Sequence, residues 1–107
     1  MFKTNLQLAA QIIALANILD AHYNQELDFK NHCYLRIAFD VTVNNKWDTK
    51  VEKPFTKYAS KSQLQNALDL LKSYLLDKQL LLIDNEKSLA FRENCKELEQ
   101  IRSPKLF

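Results

Sequence analysis

Glycine is absent from this chain of 107 residues, although it makes up about 7% of average proteins. Phosphate-binding loops, dinucleotide fingerprints and nucleophile elbows need glycine where the backbone approaches a ligand or takes an unusual φ angle. The absence excludes these motifs in their standard form, and it also excludes hairpins built on Asn-Gly or Asp-Gly turns. The remaining composition, rich in leucine, alanine, lysine and glutamine, favours helices.

Cysteine and net charge are also low. The two cysteines, Cys33 and Cys95, are far apart and have no CxxC spacing, which is typical of reduced thiols in an intracellular protein. His22 and His32 are ten residues apart, so no group of residues has the spacing of zinc ligands. A net charge of +2 is too small to indicate nucleic-acid binding by itself. We therefore predict no metal and no cofactor.

Long apolar runs are missing as well. The longest strongly apolar stretch, residues 8–19, is interrupted by Gln11 and Asn17, and the N-terminus lacks the features of a signal peptide. We expect a cytoplasmic protein that does not enter a membrane. With 47% hydrophobic residues, the chain predicts a single helical domain over residues 1–107 with its own core.

Two segments have the periodicity of an amphipathic helix. Residues 4–24 begin at Thr4, a plausible N-cap, and their apolar arc is wide enough to predict a helix that is covered on two sides. Because the domain is small, the second covering element is predicted to be another copy of the chain, in a homodimer. Residues 61–76 follow Ser60 and Gln63, which have the spacing of a capping box.

The segment from about residue 29 to residue 45 fits two structures. Leu35, Ile37 and Phe39 alternate with polar or small residues, which is the pattern of a strand, and Asn44-Asn45 would then turn a hairpin. Polar residues also recur every four positions from His32 to Asn44, which places them in one arc of a helix. We favour the helix because it accounts for the four polar positions together.

The remaining segments are a loop and a last helix. Residues 44–59 are polar, and Pro54 disfavours a helix through Lys53, so a long aromatic-containing loop is predicted from Trp47 to Tyr58. A helix from about residue 77 to residue 102, broken near Asn85, is favoured, with Ser103-Pro104 ending it. The alternative is a second hairpin formed by residues 80–83 and 88–91.

Candidate binding residues lie on the polar stripe of the second helix. Arg36 has the geometry to clamp a phosphate or carboxylate, His32 is a proton-transfer group, and Asp40 is spaced to pair with Arg36. Trp47 follows in the loop that we expect to lie over this stripe. We predict a ligand pocket formed by His32, Arg36, Asp40 and Trp47, and the alternative is a structural Arg36–Asp40 pair.

A second candidate surface combines lysines with aromatic residues. Such a set suits single-stranded nucleic acid, because bases stack on aromatic rings while lysine ammonium groups pair with phosphates. The alternative is a solvated loop whose aromatic residues anchor it to the core. The set comprises Lys46, Lys50, Lys53, Lys57 and Lys61 with Trp47, Phe55 and Tyr58.

A family resemblance rests on residues 31–40 (NHCYLRIAFD), Lys46-Trp47-Asp48 and residues 88–92 (SLAFR). These segments resemble short bacterial proteins carried on mobile gene cassettes, some of which are labelled acetyltransferases. The resemblance covers about the middle two thirds of the chain, and it implies a helical fold and a bacterial cytoplasmic origin. Acetyltransferases bind the acyl-CoA pyrophosphate through a glycine-containing loop. This chain has no glycine, so it would have to bind the pyrophosphate with a different structure.

These observations predict an all-α bundle of four or five helices, and the alternative is an α+β fold similar to a winged helix. The corresponding function is a non-enzymatic, homodimeric module that binds a small molecule or a protein. One alternative is DNA binding, with residues 61–76 as the recognition helix and residues 80–91 as the wing. Another is a small transferase-type enzyme with His32 as the base.

Overall fold

Helices make up nearly all the regular structure of this protein. The computed structural model describes the backbone of residues 3–102 and the side chains of residues 3–94, and no strand occurs among them. The all-α bundle is thereby confirmed. Its elements are α1 (Asn5–Tyr23), α2 (Asn31–Val43), a 3-10 turn (Trp47–Thr49), α3 (Phe55–Tyr58), α4 (Lys61–Leu76) and α5 (Lys78–Arg102).

Helices α1 and α4 both begin with a capping box. The Thr4 hydroxyl accepts a hydrogen bond from the Gln7 backbone N–H, and the Gln7 side chain accepts one from the Thr4 N–H. Ser60 and Gln63 repeat this arrangement at the start of α4. Each box satisfies two backbone donors that have no partner within the helix, so both predicted starting points are confirmed.

Helix α2 resolves the ambiguity between helix and strand in favour of the helix. Tyr34, Ile37 and Ala38 are completely buried against the other helices. The helix ends at Asn44, whose φ of 57° lies in the left-handed region and whose N–H donates to the carbonyls of Asp40 and Val41. Asparagine tolerates this conformation better than other residues with a side chain, which explains how a chain without glycine ends this helix.

Helix α5 is continuous from Lys78 to Arg102. The break expected near Asn85 is wrong, and so is the alternative hairpin of residues 80–83 and 88–91. Asp77 precedes the helix and caps it, since its Oδ1 accepts a hydrogen bond from the N–H of Leu80 at 3.1 Å. The helix end predicted at Ser103-Pro104 lies outside the described residues.

The segment between α2 and α4 is folded onto the core. The rings of Phe39 and Phe55 stack with centroids 3.9 Å apart, and Trp47 meets both edge-on at 5.7 Å. Asp48 lies near Lys46 and Lys53. Trp47 and Phe55 are therefore packed in the protein, and they do not form the exposed stacking platform that single-stranded nucleic acid needs.

The core lies mainly between α1, α2 and α4, and α5 packs on α2 and α4. No helix in residues 3–102 is both long and apolar enough to cross a lipid bilayer. Large side chains that are fully buried contribute most of the core: Leu8, Ile12, Leu19, Tyr34, Ile37, Phe55, Leu64, Leu68, Leu71, Tyr74 and Leu81.

Candidate functional site

Asp40 is a fully buried carboxylate between α2 and α5. Its Oδ2 accepts hydrogen bonds from Ser88 Oγ at 2.6 Å and Arg92 Nε at 2.8 Å. Its Oδ1 accepts from Arg92 Nη2 at 3.1 Å and from the backbone N–H of Trp47 at 2.9 Å. A buried carboxylate is costly unless it is paired and hydrogen-bonded, and these four bonds meet that requirement on both oxygens.

Ser88 links Arg36 to Asp40, and no direct hydrogen bond joins these two side chains. Its Nη1 donates to Ser88 Oγ at 2.7 Å, and its Nη2 donates to Asn85 Oδ1 at 2.8 Å. Burial lowers the pKa of Arg36, and the nearby charge of Arg92 lowers it further. Arg36, Asp40, Asn85, Ser88 and Arg92 therefore form one connected cluster, which we call the polar seam.

The four predicted site residues do not meet in one pocket. Arg36 and Asp40 both belong to the polar seam, and Trp47 reaches it through its backbone N–H and not through its indole. His32 lies on the exposed surface one turn before Arg36, and no hydrogen bond or ion pair to its ring occurs within the described side chains. The stripe seen in the sequence is thus divided between a buried part and an exposed part.

The partners on α5 were not predicted from the sequence. Asn85, Ser88 and Arg92 are 48 to 52 residues away from the α2 residues they contact. One signal was available, because Asn85, Ser88 and Arg92 recur at intervals of three and four and so share a helix face. Ser88 inside a long helix is itself unusual, since serine favours helix ends.

The chemistry of the polar seam is that of a structural contact between α2 and α5 more than that of a catalytic site. Both oxygens of Asp40 are already occupied, and Ser88, the only hydroxyl in the cluster, is completely buried. Two guanidinium groups face one carboxylate, so the ionised side chains of the seam sum to one positive charge. Side chains 3–94 contain no group of histidine, cysteine, aspartate and glutamate residues that could hold a metal ion. The accessible chemistry is that of the half-buried Arg36 and of Arg92, whose side chain is 27% exposed.

A second buried cluster ties three helices together. The Tyr23 hydroxyl donates to the backbone carbonyl of Tyr74 at 2.6 Å, and the Tyr74 hydroxyl donates to Asp84 at 2.7 Å. Lys87 Nζ lies 3.8 Å from the other oxygen of Asp84. Burial and the hydrogen bond to Asp84 raise the pKa of Tyr74. This cluster links α1, α4 and α5, and its hydroxyl and carboxyl groups are buried, while Lys87 is exposed.

No family model matches the chain, and neither a curated protein nor a solved structure is similar to it at a significant level. The resemblance to mobile-cassette proteins stays a prediction. An inference about function therefore depends on the surfaces of the molecule itself.

Proposed function

We propose that this protein is a non-enzymatic binding module that acts as a homodimer through the outer face of α1. This face consists of Leu6, Ala10, Ile13 and Asn17, all of them exposed, with Leu6 at 83% and Ile13 at 44%. The observation that carries the proposal is the absence of charge, because no charged residue occurs from Thr4 to Leu19. In a chain with 26% charged residues, an uncharged exposed helix face is typical of a surface that another molecule covers.

The spacing of the outer face favours a second copy as the partner. Residues 6, 10, 13 and 17 alternate steps of four and three, which is the spacing of a coiled-coil seam. In an antiparallel pair related by a two-fold axis, Ala10 lies opposite Ile13 of the partner subunit, so a small side chain meets a large one at the centre. A two-fold interface must be complementary to itself, and this arrangement meets that condition.

Sedimentation velocity at protein concentrations from 1 to 500 μM tests the dimer. We expect the wild type to show a concentration-dependent dimer, and Ile13→Glu to weaken its association at least tenfold by placing a charge at the centre of the interface. Leu82→Glu is the matched control, since Leu82 is a similarly exposed apolar residue on α5 (38%) and should leave association unchanged. A wild type that stays monomeric throughout, or an Ile13→Glu protein that associates equally well, would contradict the proposal.

A ligand site at the polar seam is also part of the proposal, but with fewer residues than the sequence predicted. A ligand can reach His32 and the half-buried edges of Arg36 and Arg92. Asp40 and Ser88 are buried and hold the two arginines in place. The excess positive charge of the seam supports an anionic group as the ligand.

Inorganic phosphate is a direct probe of this site. At constant ionic strength, it should raise the melting temperature of the wild type and of Lys50→Gln, an exposed control, but not that of Arg36→Gln. If phosphate raises the melting temperature of all three proteins equally, the polar seam is a structural contact only and does not bind phosphate.

The DNA-binding alternative loses its main support. Residues 80–91 were its wing, and they lie within α5. The basic residues predicted on the recognition helix α4 are only Lys61 and Lys72. The transferase alternative has less support than the binding module, because no described side chain forms a hydrogen bond that would orient His32 as a base.

A further inference from the structure

A groove with a volume of about 250 Å³ runs between α1 and α4. Its floor is formed by Ala14, Leu15 and Ile18 of α1 and by Leu68 of α4. On a helix with 3.6 residues per turn, positions 14, 15 and 18 centre about 120° away from the outer face defined above. The groove therefore uses other side chains than that face, and Ala14 adjoins Ala10 at the border between them. The groove is also separate from the polar seam, which lies between α2 and α5.

The floor of the groove is apolar and partly open to solvent. Ile18 is 51% exposed, while Leu15 and Leu68 beneath it are nearly buried. Covering such a surface with an aliphatic group is favourable by about 25 cal/mol for each Å² removed from water. The floor is thus suited to a hydrocarbon chain.

The rim of the groove is positively charged. Lys3 and Lys72 are the charged residues that line it, and no acidic side chain among the described residues does so. Lys3 Nζ donates one hydrogen bond to Gln11 Oε1 at 2.7 Å, and an ammonium group has three donors. Lys72 forms no ion pair with the described side chains, and Asp69, one turn before it, accepts from Gln65 instead. An anionic group at the rim would meet the ammonium groups of Lys3 and Lys72, neither of which forms an ion pair with a described side chain.

We propose that the groove binds a free straight-chain carboxylate of medium length, with the chain on the floor and the carboxylate at Lys3 and Lys72. The volume of the groove, about 250 Å³, limits the length of chain that the groove can cover. This inference rests on the proposed binding function, of which it names the ligand class, but it does not depend on the dimer.

Titration of the ¹⁵N-labelled protein with octanoate, followed by NMR, tests the site directly. We expect chemical-shift changes centred on Ala14, Ile18, Leu68 and Lys72. Octyltrimethylammonium has the same chain with the opposite charge, and it should bind at least tenfold more weakly. Affinity should rise from butanoate to octanoate and then level off at decanoate and dodecanoate, because the groove is then full.

Charge reversal at the rim provides the second arm of the experiment. Lys72→Glu should weaken octanoate at least fivefold, while Lys50→Glu, which changes an exposed lysine remote from the groove, should leave the affinity unchanged. Equal binding of the cationic chain, an affinity that rises without levelling off, or an unchanged affinity in Lys72→Glu would each overturn the proposal. Failure of the dimer appears in sedimentation and failure of the groove appears in the titration, so the two are distinguishable.

Discussion

Two tyrosines buried in the core differ in what their hydroxyl groups contact. The Tyr34 hydroxyl is buried and has no hydrogen-bond partner among the described residues. The Tyr74 hydroxyl donates to Asp84, which is itself 2% exposed. A buried polar group without a partner costs free energy, and removing one partner of a buried bond leaves the other unsatisfied. The same substitution at the two positions should therefore have opposite consequences.

We predict that Tyr34→Phe leaves the free energy of unfolding unchanged or raises it by up to about 1 kcal/mol, because it removes an unsatisfied hydroxyl. Tyr74→Phe should lower it by about 1–3 kcal/mol, because Asp84 then loses its hydrogen-bond donor from α4. Urea unfolding followed by circular dichroism measures both values. Equal destabilisation by the two substitutions would contradict this interpretation.

The same residues predict how stability depends on pH. Burial raises the pKa of Tyr34 to about 12, whereas an unfolded chain has a tyrosine pKa of about 10. As the pH rises, the unfolded state loses the phenolic proton of Tyr34 before the folded state does. The part of the free energy of unfolding that depends on this proton is therefore complete below pH 10 and is lost between pH 10 and about 12. Urea unfolding at several pH values in this interval should show a steeper fall for the wild type than for Tyr34→Phe. Parallel pH profiles would be evidence against a raised pKa at Tyr34.

Asp40 is the residue on which the polar seam depends. Asp40→Asn removes the negative charge that faces Arg92, and breaking a buried ion pair typically costs about 3–5 kcal/mol. Glu26→Gln makes the same chemical change in an exposed pair with Lys78, at 3.8 Å, where about 0–1 kcal/mol is expected. Chemical denaturation of the two variants compares a buried pair with an exposed one. If Asp40→Asn lowers the free energy of unfolding as little as Glu26→Gln does, the polar seam contributes little to stability.

At the scale of the helices, the sequence predicted those elements whose signals are local. Helix α4 was predicted at residues 61–76 and is observed at Lys61–Leu76, because Ser60 and Gln63 form the capping box that their spacing implies. Helix α2 was ambiguous, since alternation and four-residue spacing occur together in it. The four-residue polar spacing proved the better guide, because it places Arg36 and Asp40 on the side of α2 that meets α5.

The capping box of α4 allows a simple test at this scale. Ser60→Ala removes the oxygen that accepts from the Gln63 N–H, so the free energy of unfolding should fall by about 1 kcal/mol. Ser62→Ala is the matched control, because Ser62 is exposed inside the helix, where alanine is the better helix former. Urea unfolding should show a loss for Ser60→Ala alone, and a loss of equal size in both variants would argue against the cap.

The contacts of the candidate site depend on tertiary structure, and for that reason the sequence predicted them incompletely. A direct contact between Arg36 and Asp40 was expected from their spacing, but Ser88 stands between them. The bond from Trp47 uses its backbone N–H, which every residue except proline has, so residue type carries no signal for it. Single-sequence reasoning finds the α2 half of such a cluster, and only the fold brings the α5 half to it.

At the scale of the whole molecule, the proposed surfaces are separate regions of one small body. The outer face of α1, the groove between α1 and α4 and the edge of Arg36 use different side chains. A module built in this way can associate with itself and still bind a ligand. Association and ligand binding should then respond to different substitutions.

Self-association predicts that stability depends on protein concentration. The folded chain binds a second copy and the unfolded chain does not, so the melting temperature rises with protein concentration. The wild type should melt at a higher temperature at 200 μM than at 2 μM, while the melting temperature of Ile13→Glu should change less between these concentrations. Scanning calorimetry measures the difference, and a wild-type melting temperature that does not move would oppose the dimer.

The chain contains a single tryptophan, and its position gives the molecule a built-in optical reporter. The indole of Trp47 packs on Phe39 and Phe55, while the backbone N–H of Trp47 donates to Asp40. Its fluorescence emission therefore responds to the release of the 3-10 turn and α3 from α2, whereas the outer face of α1 and the groove lie elsewhere. In stopped-flow unfolding, a red shift of the emission that precedes the loss of ellipticity would show that this segment detaches from α2 before the helices melt.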